Sequence, residues 1–173
     1  MLQSKETVVG IYAPSDLHYI ITIFGLGRLG YTAFLLSPRL PASAVATLLT
    51  ACNTNTLFYG NANAPFAQSV RKLLPTLTSF PILSREEYDS PTHEHTPPFE
   101  RRNVDPVKEH HRRYLMLHSS GSTGLPKPIS FSNKRLMVTF LTAQPHKAFQ
   151  SVPFSHAHGL ITYVQHIYIR KTL

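Results

Sequence analysis

The chain has 173 residues, 42% of them hydrophobic, with a formal net charge of +8. That is material for one compact globular unit. A single cysteine excludes an internal disulfide framework and fits a reducing compartment, and no apolar stretch approaches the ~20 residues that a membrane-spanning helix needs.

Residues 1–7 contain no apolar core of a secretory signal, so the cytoplasm is the expected location. Cys52 lies in an apolar helical run and is expected to be a buried, inert thiol. Much of the basic character falls in Arg101, Arg102, Lys108, Arg112 and Arg113. No aromatic residues interleave with these charges to stack bases, so a solvated loop is expected, with neither nucleic acid nor membrane as partner.

In chain order, residues 8–12 form a β-rich run. Ser15 or Asp16 is placed to cap a following helix, in which Leu17, Ile20, Ile21 and Phe24 recur at helical spacing and which Gly30 closes. Residues 31–36 read as a buried strand, 42–52 as a second helix with Val45, Leu48 and Leu49 on one face, and 56–59 as a third strand. The resulting βαβαβ order predicts a parallel sheet covered by helices. A short helix over 68–74 stops at Pro75. The run 80–83 is a strand candidate that Pro81 confines to an edge or a strand start. Residues 89–113, rich in Pro, His, Glu and Arg, read as a long surface loop. A strand–loop–strand hairpin follows at 115–131, then a helix at 133–143, a short β-like run at 150–153 and an apolar run at 159–169.

The hairpin loop holds the most chemistry. The strand-like residues Tyr114-Leu115-Met116-Leu117-His118 enter Ser119-Ser120-Gly121-Ser122-Thr123-Gly124-Leu125-Pro126-Lys127-Pro128, and a second strand-like run starts at Ile129. Glycines let backbone approach a ligand, successive N–H groups form an anion-binding concavity, and hydroxyls and an ammonium add donors. This is chemistry for a polyphosphate. A Walker A loop would need Gly-Lys-Ser/Thr opening a helix, whereas here Pro126 and Pro128 flank the lysine and a strand follows.

The loop resembles the phosphate-binding signature of the adenylate-forming, AMP-binding enzymes: acyl-CoA synthetases, luciferases and peptide-synthetase adenylation domains. It is most similar to that of fungal peptide-synthetase-like adenylating reductases. The resemblance implies an α/β fold with a mostly parallel sheet and flanking helices, part of the large N-terminal subdomain of such an enzyme. It implies ATP with Mg²⁺ as cofactor and a carboxylic acid as substrate. Ser119, Ser120, Gly121, Ser122, Thr123, Gly124 and Lys127 would bind the nucleotide, with Lys127 on a phosphate. Pro153-Phe154-Ser155-His156-Ala157-His158-Gly159-Leu160 resembles the family's second site segment, a strand ending in Pro-aromatic-x-His-x-x-Gly-Leu, which would place His156 at the acyl pocket.

Two further patterns point elsewhere on their face. Gly25-Leu26-Gly27-Arg28-Leu29-Gly30 matches G-x-G-x-x-G, but it closes a helix and precedes a strand, the reverse of a dinucleotide fingerprint. Close helix–sheet packing and a C-cap account for it better. The pairs His93/His95, His110/His111 and His156/His158 lack the cysteine or carboxylate company of a metal site, so no protein metal ligand is expected.

The family's Mg²⁺-binding Glu segment, its ribose-binding Asp segment and its late lysine have no counterpart here. The sequence therefore divides into a βαβαβ-type subdomain (1–88), a surface loop or linker (89–113) and a phosphate-loop segment (114–173). It is expected to be a fragment of an ATP-dependent carboxylate-adenylating ligase, inactive alone. The alternative is a non-catalytic relic or assembly fragment that pairs with another chain, which supplies the missing half or a carrier domain.

Overall fold

The computed structural model describes residues 7–89, 105–119, 126–141 and 151–168. Strand β1 (Val8–Tyr12) is buried along its whole length. Helix α1 (Leu17–Leu29) starts where the Asp16 side chain accepts the Tyr19 N–H at 2.9 Å. It ends at Gly30, whose φ of 90° lies in the left-handed region, which glycine enters without a Cβ penalty. The N–H groups of Gly30 and Tyr31 then reach the carbonyls of Gly27 and Leu26 at 3.1 and 2.9 Å.

Strand β2 (Thr32–Leu35), helix α2 (Ala42–Ala51) and strand β3 (Thr56–Tyr59) follow as the sequence predicts. Helix α3 (Ala64–Leu73) starts earlier than the 68–74 run suggested, because Pro65 suits a first helical turn that needs no N–H donor. Strand β4 (Thr78–Pro81) carries Pro81 at its end and lies at a sheet edge. A short helix α4 (Arg85–Tyr88) has a capping box between Ser84 and Glu87.

The second half contributes helix α5 (Pro106–His111), strands β5 (Arg113–His118) and β6 (Pro128–Ser132), and helices α6 (Asn133–Leu141) and α7 (Ala157–Tyr168). The six strands form one sheet in the order β4-β3-β1-β2-β5-β6. All neighbours are parallel except β5 and β6, the expected hairpin.

Connection β1→β2 runs one way across the sheet and β2→β3 runs back past β1. Right-handed crossovers therefore place α1 and α2 on opposite faces. The core divides accordingly. Val9, Ile11, Ala33, Leu35, Leu115 and Leu117 pack with α1, α6 and α7. Val8, Tyr12, Phe34, Leu36 and Met116 pack with α2 and α3. Alternate residues of each strand belong to alternate clusters, the period-2 geometry of a sheet buried on both sides.

Three sequence expectations are corrected. The stretch read as a surface loop contains α5, capped by Asp105, whose carboxylate accepts the Val107 N–H at 2.9 Å. Nor is Arg112 a solvated charge. Its side chain is 14% exposed, ion-paired with Glu109 at 2.9 Å, and its guanidinium donates to the carbonyls of Gly27, Gly30 and Tyr31 at 3.3–3.4 Å. A cation there answers the orphan carbonyls and the negative end of α1. Arg101 and Arg102 lie outside the described residues. Finally, residues 151–153 form no strand; they lead through a turn into α7.

The glycines of α1 divide by role. A Cβ on Gly27 would stand 2.2 Å from a ring carbon of Tyr114 on β5, while a Cβ on Gly25 would meet nothing within 4 Å. Gly27→Ala should cost about 1–3 kcal/mol by overpacking. Gly25→Ala should be neutral or stabilising by up to about 1 kcal/mol. Denaturant melts of the two variants check this, and equal responses would show that the Tyr114 ring does not set the helix–sheet distance.

Candidate functional site

The carboxyl ends of β1, β2, β3 and β5 emerge on one edge of the sheet, the usual place for ligands in open α/β sheets. The hairpin loop leaves from this edge. Its neck is closed by Ser119, whose N–H donates to the Lys127 carbonyl at 2.9 Å and whose hydroxyl reaches the same oxygen at 3.5 Å. The Lys127 side chain is exposed. Ser120, Gly121, Ser122, Thr123 and Gly124 lie outside the described residues.

Three chain segments lie at this edge. After β2, the turn at Ser37 is pinned by the Leu40 N–H on the Ser37 carbonyl at 3.0 Å and by the Tyr12 hydroxyl on the Pro38 carbonyl at 2.8 Å. After β1, the Ser15 hydroxyl oxygen accepts the Phe154 N–H at 2.9 Å. This bond fixes the segment that carries His156. Phe154 is buried against Tyr19 and Tyr163, and the His156 N–H closes a turn on the Pro153 carbonyl at 3.0 Å. Gly159 is required here: a Cβ would lie 2.4 Å from the carbonyl oxygens of both Val152 and Pro153. The spacing His-x-x-Gly thus has a packing cause, with the His156 side chain left exposed at the start of α7.

His118, the last residue of β5, was not singled out by the sequence reading. Its Nε2 accepts the Ser37 N–H at 3.1 Å, and its Nδ1 is buried without a hydrogen-bond partner among the described residues. Burial pushes its pKa below the ordinary imidazole value, the backbone of Ser119 acts the other way, and the charge of His156 lowers it further. His156 and the loop neck therefore lie within electrostatic reach of one another. An ionisable residue ending an apolar strand beside a glycine loop was the available signal.

Among the described residues no group of three or more His, Cys, Asp or Glu gathers to hold a metal ion. No step below is routed through Mg²⁺. His110 and His111 fall on α5, while His93 and His95 lie outside the described residues. Cys52 is half-buried at the end of α2, and burial raises its thiol pKa against the opposing charge of Arg113. Burial thus favours its protonated form. Among the described residues no helix is long and apolar enough to cross a membrane.

This architecture, a mostly parallel α/β sheet with a glycine- and hydroxyl-rich hairpin at its carboxyl edge, is that of an AMP-binding domain. The family model for AMP-binding enzymes matches residues 2–169, and the chain belongs to that family. Its relatives include the adenylate-forming reductase stbB of Stachybotrys bisbyi, 28% identical over 91% of this chain. Another is the adenylate-forming reductase Nps9 of Serpula lacrymans, 35% identical over 76% of it. The chain spans 16% and 12% of the lengths of these two proteins. Among solved structures, the N-terminal domain of FACL13 from Mycobacterium tuberculosis superposes with a TM-score of 0.70 at 18% identity, over 95% of this chain and 42% of that one. The expected fold, part of the N-terminal region of an adenylate-forming enzyme, is the fold observed.

The bond from Phe154 to Ser15 should be worth about 1 kcal/mol, as for a typical net hydrogen bond. Ser15→Ala should therefore lower stability by that amount and speed amide exchange at Phe154 and His156 before the rest of the chain. Unchanged exchange there would mean that packing of Phe154 alone holds the segment.

Proposed function

We propose that this chain is the phosphate-loop portion of an ATP-dependent carboxylate-adenylating ligase. In that reaction a carboxylate oxygen attacks the α-phosphorus of ATP. The new acyl–O–P bond forms as the bond to the departing oxygen breaks, and pyrophosphate carries the charge away. The observation that carries the reading is the neck between Ser119 and Lys127, closed at the carboxyl edge of a parallel sheet around a hydroxyl- and glycine-rich loop.

In this reading Ser119, Ser120, Gly121, Ser122, Thr123 and Gly124 supply backbone and hydroxyl donors to the polyphosphate. Lys127 supplies a positive charge against the pyrophosphate, the electrostatic part of catalysis. His156 faces the acyl group from the start of α7. Mg²⁺, when bound with ATP, would neutralise phosphate charge. The cytoplasm is the proposed compartment, and a phosphopantetheine-bearing carrier domain is a proposed acceptor of the acyl group.

Activity is assigned to a longer assembly than these 173 residues, in keeping with the small share of each relative that the chain spans. A specific observation favours a second reading, that of a non-catalytic fragment which pairs with another chain. Phe24, Met137, Val138 and Leu141 are exposed on the α1 and α6 side of the sheet, beside an apolar cleft of about 120 Å³.

Two experiments test the reading. Titrated with ATP by NMR, the chain should bind weakly if at all, and Lys127→Ala should weaken any binding by up to about fivefold, the range for one exposed charge pair. Equal affinities would count against the loop assignment. ATP–pyrophosphate exchange across aryl and alkyl acids should stay at background for this chain, and robust exchange with any acid would show that the 173 residues suffice.

A further inference from the structure

His118 ends the strand that delivers the loop, and nothing above gives it a task. An Nε2 that accepts the Ser37 N–H at 3.1 Å holds a lone pair, so the proton of the neutral ring sits on Nδ1. Protonating the ring turns Nε2 into a donor facing another donor, and the bond to Ser37 is lost. Ser37 is itself buried, 5% exposed, so its N–H would then be left without an acceptor. The residue after His118 is Ser119, which closes the loop neck on Lys127.

We infer that His118 is a positioning residue: its neutral imidazole, accepting from Ser37, ties the Ser119–Lys127 neck to the end of β2, and protonation releases the neck. The inference rests on the phosphate-loop reading above only for its consequence, that nucleotide binding is stronger above the titration than below it. Of the groups around the ring, burial and His156 disfavour its charge, and the Ser119 backbone favours it by less. The Ser37 N–H approaches from the end of β2, the Ser119 backbone from the neck, and His156 from the turn before α7. Among the described residues His156 is the ionisable group whose field acts on the ring.

The sign follows from the direction of the shift. Burial and His156 together hold the folded pKa below the ordinary 6.5. The unfolded chain therefore takes up the proton first as pH falls. The stability given by the tie is complete above about pH 6.5 and is lost as pH falls through the lower folded value.

The test is ¹⁵N NMR on the full chain between pH 5 and 8, with His118→Gln and His118→Ala for comparison. A glutamine places a carbonyl oxygen near the position of Nε2, so it keeps the acceptor but cannot titrate. In the wild type, Nε2 should resonate as an unprotonated ring nitrogen. The Ser37 and Ser119 amides should move together with His118, with a midpoint below 6.5, the ordinary value. In His118→Gln both amides should stay near their neutral-pH positions without a pH response. In His118→Ala, exchange at Ser37 and Ser119 should quicken at every pH. A ring protonated on Nε2 at neutral pH, or a Ser119 response that survives in His118→Gln, would overturn the inference.

A second arm titrates ATP into the wild type and His118→Gln at pH 8 and pH 5.5. The terminal phosphate of ATP titrates in the same window, so the ratio of the two affinities is the readout. That ratio should fall about threefold to tenfold on acidification, and a constant ratio would overturn the consequence for binding. If neither protein binds ATP while the amides titrate as expected, the phosphate-loop reading fails and the positioning role of His118 stands.

Discussion

The pairing of β2 with β5 is the constraint on which the rest of the molecule depends. It joins strands about eighty residues apart in sequence, with Ala33 beside Leu115 and Phe34 beside Met116. The backbone ladder is short, and side chains secure both of its ends. The Thr32 hydroxyl donates to the Arg113 carbonyl at 2.8 Å at one end, and the Ser37 N–H reaches His118 at the other. Arg112 adds a third tie, binding the close of α1 to the start of β5. Closing so long a loop costs only about 0.6 kcal/mol more per doubling of its length, so a few such bonds over an apolar interface suffice to hold the register. Without that register the hairpin would have no fixed place against the βαβαβ unit.

Register then decides where the chemistry falls. A slip of one residue would reverse which face each side chain meets, sending Leu115 and Leu117 away from α1 and Met116 away from α2. The same slip would separate His118 from Ser37 and move the loop neck off the sheet edge. Close approach of α1 to β5 depends on Gly27 under the Tyr114 ring, and Arg112 lies 5.9 Å from the centre of that ring. Packing on this side and the position of the loop are thus parts of one arrangement. On the other face, Tyr12 stacks on Phe66 with ring centroids 3.9 Å apart, while its hydroxyl holds the turn after β2. Each core cluster therefore supports one of the segments at the carboxyl edge of the sheet.

Charge is handled differently at the two ends of β5. At its start, a guanidinium is buried against carbonyls and a carboxylate, where a permanent cation is well satisfied. At its end, burial disfavours charge on His118, and the neighbouring His156 disfavours it further. The site edge therefore keeps one neutral imidazole fixed beside the neck, while the exposed Lys127 remains available to an anion. In the proposed reading such a division suits a polyphosphate, because the exposed Lys127 stays hydrated until the ligand arrives.

The sequence by itself determined the local elements and the chemical character of the loop. Ser15 or Asp16 and Gly30 were placed to bound α1, short β-rich and apolar runs gave the strands, and the Pro-flanked Lys127 separated this loop from a Walker motif, because caps, turns and local composition act over a few residues. It did not reveal α5, whose six residues lack an apolar period although Asp105 and Pro106 form a start signal. It also overextended the strand reading to 151–153, where the chain instead turns, held by Ser15 from far away in sequence. Only the tertiary structure decided that Arg112 is buried and structural rather than solvated, and that Ser37 and His118 meet. Both outcomes depend on the β2–β5 pairing. Burial and long-range hydrogen bonds are properties of where strands come to rest, and no window of neighbouring residues contains them.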